Sequence, residues 1–400
     1  MSSKNLLSNR LQNMTESATL AMAQKAREVK AQGHDVIALS LGEPDFNTPD
    51  HIIEAAKEAL SSGYTRYTPV AGLAELREAI VTKFKRDNGL EFTPTQISVS
   101  NGAKQNIANV CLAVLDPGDE AIILTPYWVS YFDIVKFAGG TPVPVKGKID
   151  QDFKVTPEQL EAGITDKTKL LIFSSPCNPT GSVYTKEELE KLAEVLAKHD
   201  RITIVSDEIY EYINFTGKHA SIGTIPSVKD RVVTVNGMSK GFAMTGWRLG
   251  YMGGPQWLIN ACNKVQGQFT SGANSFGQKA ASIALTSDLG PTKKMAEAYL
   301  KRKKLMQELL GDIPGIKIND PQGAFYIFPD VSSYFGKSDG TTVIKDSFDF
   351  AEYILLNAHV AIVAGAAFGE EDCIRISYAT SEEQLTEACR RIKSTLAKLS

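Results

Sequence analysis

Several short stretches of this sequence set residue types capable of chemistry just after an apolar run. The richest is Asn236-Gly-Met-Ser239-Lys240-Gly-Phe-Ala-Met-Thr-Gly-Trp-Arg248-Leu-Gly250. A lysine among apolar neighbours resists protonation, and its free amine can attack an aldehyde. Ser239 and Arg248 on either side are types that bind phosphate. Alone, Lys240 would count as a surface charge. Its combination with Ser239 and Arg248 is specific.

A second stretch is Val205-Ser206-Asp207-Glu208-Ile209-Tyr210. A carboxylate at the end of a buried strand is costly unless a cation meets it. A protonated pyridine nitrogen would serve, with Tyr210 donating to a phenolic oxygen on the same ring. The purely structural alternative is a salt bridge to a nearby arginine. A magnesium site is disfavoured, because no phosphate loop of the G-x-x-x-x-G-K type is present. Asn101-Gly102-Ala103-Lys104 opens a helical pattern whose first N–H groups suit a phosphate, or else it is an ordinary strand-to-helix turn. Thr125-Pro126-Tyr127-Trp128 offers a flat ring, for stacking on an aromatic ligand or for core filling. In Ser175-Pro-Cys-Asn178-Pro179-Thr-Gly181 the prolines fix a turn and Asn178 offers an amide.

These stretches need a scaffold that gathers them, and the apolar runs supply one. Ile97-Ser-Val-Ser, Ala121-Ile-Ile-Leu, Leu170-Leu-Ile-Phe, Ile202-Thr-Ile-Val and Val232-Val-Thr-Val read as strands buried on both faces. Between them lie helical spacings, such as Ile107, Val110, Cys111, Val114 and Leu115, or Leu189, Leu192, Ala193 and Leu196. Thr185 with Glu188 forms a capping box before the latter. The pattern predicts an α/β domain with a mostly parallel sheet wrapped by helices. Ligands of such sheets sit beyond the carboxyl ends of the strands, where the candidate residues fall. From about Gly290 the pattern changes to a charged helix (Thr292 to Leu310), mixed strands around Ala324-Phe-Tyr-Ile-Phe and Cys373-Ile-Arg-Ile-Ser, and a terminal helix. We therefore expect a large domain over 49–290, a smaller α+β domain over 291–400, and residues 1–48 packed on the smaller one.

Composition excludes several classes. The 400 residues are 43% hydrophobic and 22% charged, with a formal charge of −3, so no basic field invites nucleic acid or lipid. No helix-turn-helix or basic stripe precedes the sheet, which argues against a regulator that senses its ligand without turnover. No signal-peptide core and no run of ~18 apolar residues is found, and a cytoplasmic location is expected. The five cysteines are scattered and unpaired in pattern, and the five histidines show no H-E-x-x-H, so buried thiols and no metal are expected.

Taken together, Ser239-Lys240…Gly246-x-Arg248-x-Gly250, Asp207-x-x-Tyr210, Asn178-Pro179-x-Gly181, Leu41-Gly42-Glu43-Pro44-Asp45 and Ile374-Arg375-Ile376-Ser377 resemble the fold-type I pyridoxal phosphate (PLP) aminotransferases, and within them the bacterial aspartate aminotransferase subgroup. The resemblance spans essentially the whole chain. It implies PLP held covalently by Lys240, which is also the general base, with Asp207 on the pyridine nitrogen and Tyr210 and Asn178 on the ring oxygen. Trp128 would stack on the ring and border the substrate. Gly102, Ala103, Lys104, Ser239 and Arg248 would surround the phosphate, and Tyr67 would reach it across a homodimer interface. Arg375 would grip the substrate α-carboxylate, with Gly42 and Asn178 nearby. The implied reaction moves the amino group of L-aspartate to 2-oxoglutarate by a ping-pong mechanism. Other amino acids, prephenate or a PLP lyase reaction are the alternatives. Relatives acting on prephenate often carry Lys-Pro-Ser-Ala-Thr near the N-terminus, where this chain has Thr15-Glu-Ser17-Ala-Thr19.

Overall fold

The computed structural model describes residues 6–12, 14 and 16–400, so Thr15 of the N-terminal comparison lies outside the described residues. The first strand, β1 (Ile37–Ala38), stands apart from the main sheet. That sheet is built from β2 (Ile97–Ser100), β3 (Glu120–Thr125), β4 (Thr141–Lys146), β5 (Thr168–Ser174), β6 (Thr203–Asp207), β7 (Val232–Gly237) and β8 (Gly250–Gly253). Its order is β2-β8-β7-β6-β5-β3-β4. All neighbours pair parallel except β8, which is antiparallel to both β2 and β7. Six strands therefore point the same way.

The five apolar runs form β2, β3, β5, β6 and β7, and two strands were not expected. β4 (Thr-Pro-Val-Pro-Val-Lys) carries two prolines, which an edge strand tolerates because its outer N–H groups need no partner. β8 is Gly-Tyr-Met-Gly, too short and glycine-rich to register as a strand. Residues 238–249 hold only a short 3-10 turn and no crossover helix, so β8 returns antiparallel.

Alternation along the strands feeds two cores. Leu170 and Ile172 face Ile107 and Val110 of helix Ala103–Val114 and Leu258 and Ile259 of helix Gln256–Phe269. Leu171 and Phe173 face the other way, onto Leu189, Leu192 and Leu196 of helix Lys186–Leu196. The expected cap opens that helix: Glu188 N–H donates to Thr185 Oγ1 (3.2 Å), and Thr185 N–H to the Glu188 carboxylate (2.8 Å).

The last third builds a second core. Helix Gly290–Gly311 precedes β9 (Tyr326–Ile327); helix Ser347–Ala358, β10 (Val360–Ala361), β11 (Val363–Ala364), β12 (Ile374–Ser377) and helix Glu382–Leu396 follow. An antiparallel sheet runs β11-β12-β9, and β1 pairs parallel with β10. Tyr299, Phe325, Ile354 and Ile392 pack with Ile37 and Leu39 in one cluster, which also takes in Tyr210. Helix Ala18–Ala31 lays Ala26 and Val29 on Leu355 and Ala361. All five cysteines are free thiols; four are buried as expected, but Cys177 is only half-buried, because it sits in the turn after β5 rather than in an element.

One close approach ties the antiparallel strand to the site. A side chain at Gly250 would collide with the backbone of Gly102 and Ala103, where β2 turns into its helix. Gly250→Ala should therefore destabilise the protein by about 1–3 kcal/mol. A denaturant midpoint equal to that of the parent would refute this close packing.

Candidate active site

Because six strands point one way, the segments after β2, β3, β5, β6 and β7 meet at one edge of the sheet. They border a cavity of about 400 Å³, closed from the other side by Gly42, Tyr326 and Arg375. Of the thirteen residues singled out from the sequence, all but Gly102 and Tyr67 line it. Gly102 stands directly behind, at φ +85° before the helix at Ala103, with the Arg248 guanidinium where a side chain would project. Tyr67 is 100% exposed and outside the cavity of this chain.

Lys240 sits at the centre. Burial, then the positive charge of Arg375, pulls its amine down to about 8 against the opposing pull of Glu43. At pH 7 roughly a tenth of such a lysine is unprotonated, far more than of an ordinary lysine. Its Nζ donates to the Gly42 carbonyl and lies over the rings of Tyr210 (5.7 Å) and Phe325 (5.8 Å).

Asp207 ends β6 and is buried, with no basic side chain in salt-bridge contact among the described residues. The arginine partner that would have made it purely structural is therefore not there. Tyr131 OH donates to Oδ2 (2.6 Å) and Ile209 N–H to Oδ1 (3.2 Å). Burial outweighs these bonds and pushes the carboxyl up to about 6. Tyr131, three residues after Trp128 in helix Ser130–Phe137, was missed because its neighbours gave no sign of which face it would turn.

Arg375 carries the opposite charge problem. As an isolated strand charge it would have been taken as exposed, yet it is 2% exposed on the central strand β12. It donates to Asn178 Oδ1 (3.0 Å) and the Ser40 carbonyl (2.5 Å), while its Nε has no partner. No described acidic side chain pairs with it. The guanidinium stacks on Tyr326 (4.6 Å) and Phe368 (4.9 Å). Since a guanidinium only donates, Asn178 must present its oxygen to Arg375, and its NH2 stays free for another acceptor. Tyr326 OH meets Tyr210 OH at 2.6 Å and occupies the space that a side chain at Gly42 would need. Tyr326 was also missed, since Ala324-Phe-Tyr-Ile-Phe reads simply as a buried strand.

At the far end, Arg248 is exposed and spends its donors on the carbonyls of Thr245 (2.9 Å) and Asn101 (3.4 Å). Lys104 Nζ lies over Trp128 (4.9 Å), and partial burial and then Arg248 lower its proton affinity. Ser17 and Thr19 close the rim, their hydroxyls 2.9 Å apart. The lining holds four cations (Lys104, Lys240, Arg248, Arg375) against two carboxylates, Glu43 and Asp207. Such a cavity attracts an anion with several charges.

Comparison with known proteins is consistent over the whole chain. The profile described as aminotransferase class I and II matches residues 34–392. An aspartate/prephenate aminotransferase of Cereibacter sphaeroides is 48% identical over 400 residues, covering 98% of this chain and 99% of that protein. The crystal structure of the aspartate aminotransferase from Rhizobium meliloti superposes with a TM-score of 0.95 at 42% identity, covering 98% and 99%. That of Thermus thermophilus, solved with maleate, gives 0.91 at 45%, covering 97% and 99%.

The strain at Asp207 is measurable without any ligand. Folded Asp207 keeps its proton to about pH 6, whereas the unfolded chain gives it up near 3.8, so this residue costs stability as pH rises through that window. In ligand-free protein, Asp207→Asn should exceed the parent by about 3 kcal/mol at pH 7, and the gain should vanish below about pH 4. Urea titrations at several pH values check this. A gain that does not depend on pH would contradict it.

Proposed function

Because the chain belongs to the class I and II aminotransferases, we propose that it moves the amino group of L-aspartate to 2-oxoglutarate, giving oxaloacetate and glutamate in two half-reactions. Enzymes of this family work with pyridoxal 5′-phosphate, which supplies an aldehyde to carry the amino group and a ring that accepts the electrons of a broken Cα–H bond. One observation carries the fit: a single cavity holds a buried carboxylate without a cation and a buried guanidinium without an anion, on either side of a lysine with a lowered pKa. A pyridinium and a carboxylate together complete both.

In this reading Lys240 Nζ would hold the cofactor aldehyde, and once the substrate amine has taken its place there, the freed Nζ would accept the α-proton from the substrate Cα as general base. Asp207, steadied by Tyr131, would keep the proton on the ring nitrogen. Tyr210 and Asn178 would donate to the ring oxygen, Trp128 would cover the ring face, and Ser239, Arg248 and the backbone of the helix start at Gly102, Ala103 and Lys104 would hold the phosphate. Arg375 grips the α-carboxylate beside Gly42 and Asn178 and keeps it from leaving, which argues against decarboxylation. Tyr67 would complete the phosphate site of a second copy, making the working unit a homodimer. The five unpaired thiols fit a cytoplasmic protein, and no described helix is long and apolar enough to cross a membrane. We read 49–290 as the cofactor-binding domain, with 1–48 and 291–400 as the smaller one.

The second carboxylate of aspartate needs a cation, and once the other three cations of the cavity are assigned, Lys104 remains, with Ser17 and Thr19 beside it on the rim. Maleate, bound to the Thermus enzyme, is also a four-carbon dicarboxylate. Prephenate has two carboxylates as well, and the Cereibacter relative's name includes it, so prephenate is the second reading.

Addition of aspartate to the cofactor-loaded protein should change its visible absorbance, and 2-oxoglutarate should reverse the change. Alanine and aromatic amino acids should act more weakly. No response to aspartate would sink the assignment, and faster amino transfer from glutamate to prephenate would favour the second reading. Lys240→Ala should lose the covalently held cofactor, shown by the absence of cofactor on the protein after borohydride and denaturation. Lys104→Ala should raise KM for aspartate about tenfold or more while leaving alanine little affected. An equal loss for both donors would move Lys104 out of the side-chain site.

A further inference from the structure

Behind the pocket lies a buried ionic cluster that the reaction does not use. Glu208, the residue after Asp207, is fully buried. Its carboxylate accepts from Ser206 (2.9 Å) and Ser221 (2.6 Å) on one oxygen, and meets Asn88 Nδ2 (2.8 Å) and His219 Nε2 (2.7 Å) on the other. Asn88 also donates to Glu211 (2.7 Å) and accepts from Lys83 (2.6 Å), which is ion-paired with Glu211. Lys83 precedes and Asn88 ends a π-helical turn, Phe84–Asn88, that continues helix Ala74–Lys83. Turns of this kind interrupt a regular helix and recur at functional sites.

The cluster balances its charges. Burial opposes a proton on His219, but the facing Glu208 carboxylate outweighs it and raises the imidazole above its ordinary value. Two anions, Glu208 and Glu211, then meet two cations, Lys83 and His219. Glu208, Glu211 and His219 form the one metal-capable trio among the described residues, but the Lys83 ammonium already supplies the positive charge.

Side chains along the segment after β6 divide between two sides. Asp207 and Tyr210 line the cavity, whereas Glu208 and Glu211 enter the cluster. Glu208 N–H donates to the Val235 carbonyl (2.8 Å) and Glu211 N–H to the Glu208 carbonyl (3.0 Å), so the turn has little freedom of its own. Buried ion pairs add little net stability compared with apolar packing, but they fix geometry where they are kept.

We propose that Glu208, clamped by His219, Asn88 and the Lys83–Glu211 pair, is a positioning residue for amino transfer, fixing the turn that aims Asp207 and Tyr210 into the cavity. This rests on the reading that Asp207 and Tyr210 face the cofactor ring. It assigns no contact with substrate or cofactor to Glu208 itself.

The test uses the cofactor-loaded protein and two variants, Glu208→Gln and the charge-balanced Glu208→Gln/His219→Gln. Both should lower kcat for aspartate about tenfold or more, as misplacement of a catalytic group does. KM should change little, since Arg375 and Lys104 are untouched. The pH at which the bound cofactor's absorbance titrates should shift in both. A double variant with the parent's melting temperature, kcat and spectral titration would show the cluster to be structural only and overturn the proposal. Failure of both variants to fold would overturn it as well, by making the cluster a requirement of the fold. If the parent itself does not respond to aspartate, the functional reading fails, independently of either variant.

Discussion

A charge taken out of water must find a partner, and among the described residues Asp207 and Arg375 are buried without a countercharge in contact. One is short of a cation and the other of an anion. Desolvation of a lone ion is among the largest penalties a fold can carry. The surrounding structure must therefore hold both charges against their tendency to turn outward or neutralise. Tyr131 restrains one, and Asn178, Ser40 and the faces of Tyr326 and Phe368 restrain the other. The folded chain is in this sense incomplete, and the missing parts are the polar ends of its ligands.

The two charges come from different cores. Asp207 ends a strand of the seven-stranded sheet, whereas Arg375 belongs to the three-stranded sheet of the last third. Lys240 bridges them: it follows β7, yet donates to Gly42 in the segment after β1. Tyr326 and Tyr210 make a second bridge through their hydroxyls. The amine at the centre therefore feels both sides. Burial and Arg375 lower it, while Glu43 and Asp207 draw it back up.

How much of this was legible in the sequence follows from what each residue's signal depends on. The five apolar strands and the Thr185 cap were readable because burial on both faces and a local hydrogen-bond pair leave local patterns. β4 and β8 were not, because prolines and glycines hid strands whose partners lie far along the chain. Lys240 and Asp207 could be named, since their types are rare where they stand, whereas Arg375 was legible only through the family resemblance, an isolated strand arginine reading as exposed. Tyr131 and Tyr326 could not, because a tyrosine in an apolar run looks the same whether its hydroxyl meets a catalytic group or a carbonyl. The cluster around Glu208 joins positions 83, 88, 208, 211 and 219, and no local window contains it.

The pairing of β1 with β10 bears on how the chain reaches this state as it is made. Ile37 leaves the ribosome more than three hundred residues before Val360, the strand residue it pairs with. Ser40, just beyond it, waits longer still for Arg375. The large sheet, ending at Gly253, can assemble while synthesis continues, but Ile37 and Leu39 stay without their core until the last helices emerge. Until those partners are made, the nascent chain thus exposes the apolar segment around Ile37 beside a finished sheet. The making of β12 and its neighbours, rather than of the large sheet, brings the active cavity into being.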